Sequence, residues 1–89
     1  MIYFTKDPDA KLDYAIDWSA WLEDGDTITA STWIVPEGLT ASGETIEGEK
    51  TVVWLAGGTA GQSYKVTNRV TTSAGRIDDR TLQVTVRER

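Results

Sequence analysis

The sequence contains neither cysteine nor histidine among its 89 residues. Without cysteine the chain forms no disulfide and has no thiol chemistry, which fits assembly in a reducing compartment. Without histidine it lacks the commonest general base and the commonest metal ligand, so only an all-oxygen, calcium-like site remains among metal sites. We therefore expect a protein that is not an enzyme and that carries no cofactor.

Long apolar runs and helical patterns are also missing. No apolar run approaches the length that crosses a membrane, and residues 1–7 lack the basic and apolar regions of a signal peptide. No stretch has the apolar spacing of a helix. These absences predict a chain that has no membrane partner and is built from strands. The Met1 start predicts a cytoplasmic product, unless it is exported within something larger.

The chain is acidic, with a net charge of −5, but the charge is unevenly distributed. Residues 1–63 contain three basic and eleven acidic side chains, whereas residues 64–89 contain six basic and three acidic side chains. An acidic protein is a poor partner for nucleic acid, and we expect none to be bound. The asymmetry has two interpretations: ordinary solubilising charge, or a dipolar surface that pairs head to tail with copies of itself or with a neighbour.

Residues 57–76 carry the strongest strand pattern. They begin with a turn rich in glycine, which tolerates the positive φ of a sharp corner, and they end in a second turn at Ala74-Gly75. Between the turns apolar and polar residues alternate, as in a strand with one buried face. The apolar set on this face is Tyr64, Val66 and Val70.

The spacing from Gly61 to Tyr64 is that of a tyrosine corner, in which the hydroxyl folds back onto the preceding turn. The alternative is that Tyr64 is an ordinary core aromatic at the start of a strand. Under either interpretation, the segment is typical of the penultimate strand of an immunoglobulin-like sandwich.

Six further stretches have short strand patterns: residues 1–4, 12–18, 27–35, 39–46, 51–55 and 80–87. Residues 39–46, interrupted by Ser42-Gly43, form the weakest of them and are expected at a sheet edge. Residues 19–22 are compatible with one helical turn or with a bulge. The spacing predicts an all-β fold, an immunoglobulin-like β-sandwich of about seven antiparallel strands, formed by a single domain over residues 1–89.

The inward face of residues 27–35 is open to two assignments. One set contains Ile28, Ala30, Thr32 and Ile34, and the other contains Thr29, Ser31, Trp33 and Val35. Immunoglobulin-like sandwiches often bury one tryptophan in mid-core, and Trp33 is the candidate for that position.

Four stretches together resemble a known family, the small fiber–tail adaptor proteins of tailed phages and prophages. They are residues 6–18, 25–28, 33–39 and 54–76. The last is the longest and most specific, with WLAGGTAG at 54–61 and YKVTNRVTTSAGR at 64–76. Residues 40–50 add little to the resemblance, which otherwise covers nearly the whole chain.

The resemblance implies a non-enzymatic structural protein of the virion with an immunoglobulin-like fold, made in the host bacterial cytoplasm. Its implied partners are other virion proteins of the tail, fibre or neck, and self-association is a further possibility. The family has no defined binding motif, so the resemblance assigns no site residue.

The four tryptophans supply candidate interface residues. A core of this size buries about two of them comfortably, since each brings up to ~250 Å² of surface. Trp21 and Trp54 are the candidates for exposure, which would mark a protein interface or a sugar-stacking platform. The alternative is that all four pack as core and rim. A third candidate interface is the turn Asp7-Pro8-Asp9, within the first resembling stretch.

Unpaired strands at the edges of the sheets are a second way in which the chain could bind a partner. Residues 1–5 and 39–46 could leave unpaired strand edges, to which a strand of a partner can add. A carbohydrate-binding or adhesion module is the alternative function, because surplus tryptophan on a sandwich also suits sugar stacking.

Two acidic groups could supply oxygen ligands for calcium: Asp7, Asp9, Asp13 and Asp17, and Glu23, Asp24 and Asp26. Neither has the spacing of an EF-hand, and solvated strand faces and turns explain both. Paired carboxylates also suit glycoside hydrolysis, but a small domain without long loops has little room for a cleft. Residues 57–61 lack the Lys-Ser/Thr ending of a phosphate loop. We predict no catalytic, metal or cofactor-binding residue.

Overall fold

The computed structural model describes residues 2–88 as an all-β fold with seven strands. The strands are β1 (Ile2–Lys6), β2 (Leu12–Asp17), β3 (Ile28–Ile34), β4 (Leu39–Glu47), β5 (Lys50–Gly57), β6 (Ser63–Thr72) and β7 (Ile77–Val86). The predicted number of strands is therefore confirmed. The first predicted strand included Met1, which lies outside the described residues.

The strands form two sheets, with the orders β1-β7-β6-β3 and β2-β5-β4. Neighbours are antiparallel except for β1 and β7, which are parallel, with Phe4 opposite Val84. The prediction that all strands are antiparallel is wrong for this pair. After β1 the chain crosses to the other sheet, and β1 pairs with the last strand rather than with its sequence neighbour, so no hairpin fixes its direction.

The core lies between the two sheets and takes its residues from both. Alternation within β2, β5, β6 and β7 sends every second side chain inward. The buried apolar residues are Tyr14, Ile16, Trp18, Ile28, Trp33, Leu39, Val53, Leu55, Val66, Val70, Leu82, Val84 and Val86. Val66 and Val70 of the inward face predicted for β6 belong to this set, and Tyr64 is partly buried against it.

A bulge in β3 explains why its inward face could not be assigned by alternation. Ile28 and Trp33 are both buried, although an odd separation of five positions would place them on opposite faces of a regular strand. The register with β6 shifts between Ile28 and Ala30, which brings both onto the core side. Each proposed set thus contributes one core residue, and Trp33 is buried.

The loops collect at the two ends of the sandwich. One end contains residues 7–11, 35–38 and 58–62, and the other contains residues 18–27, 48–49 and 73–76. Residues 19–22 form a turn, in which the N–H groups of Trp21 and Leu22 both donate to Trp18 O, at 2.9 and 3.0 Å. The molecule is elongated, with principal extents of 43 × 22 × 19 Å. Within residues 2–88, no helix is long and apolar enough to span a bilayer.

The glycine-rich turn is held by the aromatic residue that follows it. The Tyr64 hydroxyl accepts a hydrogen bond of 2.9 Å from Thr59 N, which is the contact expected of a tyrosine corner. Gly61 N donates to Val86 O at 2.8 Å, which ties the same turn to β7. At Gly58, where φ is +97°, a Cβ atom would lie 2.6 Å from Val86 Cγ2, so only glycine fits this close approach.

Candidate interaction surfaces

Trp54 lies on the outer face of β5 and is 40% exposed. Its register partners are Asp13 on β2 and Ser42 on β4, so their side chains flank the indole on the same face. We call the outer face of the β2-β5-β4 sheet around these residues the Trp54 face. Lys11, Ser42, Gly43 and Trp54 line a shallow, open hollow on it.

A bulge in β4 shapes the Trp54 face. The register between β4 and β5 shifts between Ser42 and Thr45, and Gly43 in this segment has φ of +60°. A Cβ atom at Gly43 would lie 2.7 Å from Trp54 Cδ1. The indole therefore packs against the glycine backbone, which fixes the ring beside the edge strand.

The apolar character of β5 on both sides has a simple structural cause. Val53 and Leu55 point into the core, while Val52, Trp54 and Ala56 form the outer row. Trp54 in this row is exposed, and Val52 and Ala56 are half-buried. A row of apolar side chains that remains open on a sheet face indicates a contact surface.

The rim of the Trp54 face is mainly acidic. Its exposed carboxylates are Asp13, Asp17, Glu44 and Glu47, and its exposed ammonium groups are Lys11 and Lys50. The acidic excess favours a partner that presents positive charge.

Trp21 lies at one end of the sandwich, away from the Trp54 face. It packs edge-on against Trp18, with ring centroids 5.2 Å apart, and the Arg76 guanidinium lies 4.2 Å from the Trp21 ring centroid. Arg76 Nη1 also lies 3.9 Å from carboxylates of Glu23 and Asp26. Trp21 is consequently half-buried and partly covered by the chain itself.

The Asp7-Pro8-Asp9 turn lies at the opposite end. Asp9 N donates to Asp7 Oδ1 at 2.8 Å, which orders the turn. The neighbouring Lys6 is fully buried, and its Nζ donates to Asp7 O at 2.8 Å and to Gly57 O at 2.7 Å. Burial lowers the pKa of Lys6, against the opposing effect of the nearby Asp7 and Asp9 carboxylates. The turn is therefore an ordered, partly exposed corner.

The three predicted interface regions thus occupy separate surfaces. The Trp54 face lies along one side, Trp21 at one end and Asp7-Pro8-Asp9 at the other. Trp21 and Asp7-Pro8-Asp9 lie at opposite ends and face different neighbours, whereas the loop that follows Asp9 reaches the Trp54 face through Lys11.

The acidic groups that were weighed as calcium ligands are not brought together. Within residues 2–88, no three carboxylates are close enough to hold a metal ion. Asp26 is occupied in another way, because its Oδ1 accepts from Ser73 Oγ, Thr27 N and Ala74 N at 2.6, 3.0 and 3.1 Å. These bonds fasten the loop before β3 to the turn between β6 and β7.

Open edges exist on both sheets. β1 and β3 end one sheet, and β2 and β4 end the other, so both edges considered for strand addition are outer strands. Tyr3 on β1 is 69% exposed, and residues 42–47 of β4 are exposed throughout. The bulge and the glutamates of β4 are features that discourage strand addition.

Asp13, Ser42, Gly43 and Lys11 were not singled out from the sequence as neighbours of Trp54. Their proximity depends on which strands flank β5, and alternation within a strand does not encode that order. The interruption at Ser42-Gly43 was the one available signal, because glycine within a strand pattern often marks a bulge.

Comparison with known proteins gives a family and a fold. The model of the family described as podophage GP4 fiber-tail adaptor protein gp77 matches residues 6–85. Comparison with curated proteins gave no significant match. A solved structure described as the solution structure of the PKD domain from KIAA 1837 protein is similar, with a TM-score of 0.63 and 20% identity. The similarity covers 98% of this chain and 79% of that chain, and it supports an immunoglobulin-like sandwich.

Proposed function

Because this chain belongs to the podophage GP4 fiber-tail adaptor family, we propose that it joins tail, fibre or neck components of the virion through protein–protein contacts, without catalysis. The observation that carries the proposal is the Trp54 face, an uncovered sheet surface with an exposed tryptophan at its centre. Tryptophan is enriched among the residues that contribute most to protein interfaces.

The shape of the molecule supports a joining role. An adaptor needs at least two contact surfaces, and the sandwich offers one along its side and one at each end. The ends carry Trp21 and Asp7-Pro8-Asp9, on opposite sides of a molecule 43 Å long. Self-association would use the same surfaces, and neither nucleic acid nor membrane is a partner in this proposal.

The absence of catalysis rests on residue types and on shape. The chain has no histidine or cysteine, and the hollow beside Trp54 is shallow and open rather than a cleft. Such a hollow does not exclude water, as a site in which carboxylates act as acid and base would have to do.

The test is to remove the chain from the particle and to restore it. Particles produced without this chain are expected to lack fibres or tail parts in negative-stain electron microscopy, and addition of the purified chain is expected to restore them. Immunogold labelling with antibody to this chain should mark one site on complete particles. Complete particles without the chain, together with no label on intact or disrupted particles, would contradict the proposal.

A carbohydrate-binding module is the second candidate, favoured by the hollow in which Lys11 and Ser42 lie beside the exposed indole. An aromatic platform with flanking polar groups is suited to stacking and hydrogen bonding a sugar ring. A glycan array together with titration of tryptophan fluorescence tests it. Binding that Trp54→Ala abolishes would support this function, whereas no array signal and unchanged fluorescence would remove it.

A further inference from the structure

At two of the four tryptophans, an arginine guanidinium stacks on the indole ring. The Arg76 guanidinium lies 4.2 Å from the Trp21 ring centroid, and the Arg80 guanidinium lies 4.3 Å from that of Trp18. In each pair the guanidinium also has an oxygen partner. Arg76 Nη1 donates to the backbone oxygen of Trp21 at 3.3 Å and has the carboxylates of Glu23 and Asp26 at 3.9 Å.

Arg80 completes the same pattern, because its Nη1 donates to the backbone oxygen of Asp17 at 2.9 Å. The positive charge is therefore held between a π-face and an oxygen acceptor. This combination gives the guanidinium both cation–π attraction and a directed hydrogen bond.

In the part of the chain that the structure describes, Trp54 has a carboxylate acceptor beside it but no stacked guanidinium, although Lys11 lines the same hollow. It is the most exposed of the four tryptophans, and within residues 2–88 no guanidinium stacks on it. The Asp13 carboxylate lies beside it in register and is exposed. The remaining rim is acidic, with Asp17, Glu44 and Glu47 against Lys11 and Lys50.

On the basis of the proposed adaptor function, we propose that the Trp54 face receives an arginine of another virion protein. The guanidinium stacks on the Trp54 indole and pairs with the Asp13 carboxylate, in the manner of Arg76 on Trp21 beside Glu23. The acidic rim attracts the positively charged surface around that arginine. The apolar side chains of Val52 and Ala56 pack against the aliphatic side chains that lie next to the arginine in the partner.

A second copy of this chain is a poor source of that arginine. Residues 2–88 contain four arginines, and three of them are engaged within the chain. Arg76 and Arg80 stack on the chain's own tryptophans, and Arg69 forms a two-point ion pair with Asp79 at 2.8 and 2.9 Å. Arg87, exposed just after β7, and Arg89 are the remaining arginines of a second copy, so the cross-linking experiment below has to separate a second copy from a different protein.

Binding to particles that lack this chain tests the inference. Fluorescently labelled chain is titrated onto such particles, and bound label is measured after sedimentation. We expect Trp54→Ala to weaken binding at least about tenfold and Asp13→Asn to weaken it about threefold or more. The matched controls are Ile77→Ala and Asp78→Asn, which change an exposed apolar residue and an exposed carboxylate of the other sheet and should stay within about twofold.

Circular dichroism and the thermal midpoint establish that each variant is folded. Failure of the wild-type chain to bind the particles would overturn the adaptor function itself. Binding by the wild type that Trp54→Ala and Asp13→Asn leave unchanged would overturn only the role of the Trp54 face. The two proposals are thus separable.

A photocross-linking residue in place of Ser42 identifies the occupant, because this position lies directly beside Trp54 in register. The expected cross-link joins one other virion protein at a segment that contains arginine, and replacement of that arginine by alanine should weaken binding about tenfold. A cross-link to a second copy of this chain, to a segment without arginine or to no protein at all would overturn the inference.

Discussion

Trp18 Nε1 lies 3.1 Å from Asn68 Oδ1, and this hydrogen bond helps to join the two sheets through the centre of the core. Trp18 directly follows β2 in one sheet, and Asn68 lies in the middle of β6 in the other. Both residues are fully buried. The contact orients the indole that the Arg80 guanidinium covers, and it links the core to the loop that carries Trp21.

The Asn68 amide uses its full hydrogen-bonding capacity. Its oxygen also accepts a hydrogen bond from the Thr51 hydroxyl, and its nitrogen donates to Ser31 Oγ at 2.9 Å and to Thr32 O at 3.1 Å. An amide has two acceptor and two donor positions, and all four are filled. A polar group in this setting is expected to be hard to replace, because its partners would be left unpaired in the core.

Replacement of Asn68 by leucine should therefore destabilise the fold strongly. Asn68→Leu leaves Thr51 and the Thr32 carbonyl without this partner, and we expect the free energy of unfolding to fall by about 2–4 kcal/mol. Urea unfolding followed by tryptophan fluorescence measures it. Lys65→Ala, an exposed change on the same strand, is the control and should alter stability by less than about 0.5 kcal/mol. Equal stability of the two variants would contradict the role of the network.

The Tyr64 hydroxyl is expected to contribute a small part of the free energy of unfolding, which can be measured apart from the contribution of the ring. Tyr64→Phe keeps the ring that packs near Gly38 but removes the acceptor for Thr59 N, and we expect a loss of about 1 kcal/mol in unfolding free energy. Tyr3→Phe is the matched control, since Tyr3 is 69% exposed. Thermal unfolding of both variants measures the difference, and a loss of similar size in Tyr3→Phe would argue against the turn contact.

Asp26 makes stability depend on pH in the acidic range. The hydrogen bond from the Ser73 hydroxyl lowers the pKa of Asp26, with smaller effects from Thr72, Ala74 and Thr27, while burial opposes the shift. The folded state thus binds this proton less readily than the unfolded state, and stability falls as pH drops below the unfolded value of about 3.9. Asp26→Asn should reduce this acid-side loss in urea unfolding measured at several pH values.

Asp24→Asn is the control for the Asp26 experiment, because it makes the same change at an exposed position in the same loop. An acid-side stability profile of Asp26→Asn that matches those of the wild type and the control would show that Asp26 does not carry this dependence.

Lys6 makes stability depend on pH in the basic range. Because burial lowers the pKa of Lys6 relative to the unfolded chain, the unfolded state binds more protons between the two values, and stability rises with pH up to about 10.4. Lys6→Met should lack this rise. Unfolding free energies between about pH 8 and about pH 10.5 measure it, with Lys65→Met as the exposed control. If the unfolding free energy of Lys6→Met rises with pH by the same amount, the rise comes from the titration of another group.

Local alternation determined much of this fold. In β6 the period of two predicted both the strand and its inward face, because the direction of a side chain within a strand depends only on its neighbours in sequence. Glycine positions in the sequence also indicated the turn before Tyr64 and the irregularity of β4 at Ser42-Gly43. They did so because glycine is the usual residue at positive φ and in bulges.

Other features required the tertiary structure. The direction of β1 depends on its pairing with β7, some 80 residues away, and the burial of both Ile28 and Trp33 depends on a bulge set by β6. Asn68 was on the apolar face of its strand, but its partners come from three other parts of the chain.

The sequence by itself determined that the chain is a small all-β protein without histidine or cysteine chemistry, and it carried the motifs of its family. Only the tertiary structure decided which of the two rows of apolar side chains on β5 faces the core and which faces solvent. Val53 and Trp54 are equally apolar neighbours, and local pattern does not distinguish the face that meets the second sheet from the face that meets a partner. That choice follows from sheet order and packing, which are non-local, and it is what exposes Trp54 beside Asp13.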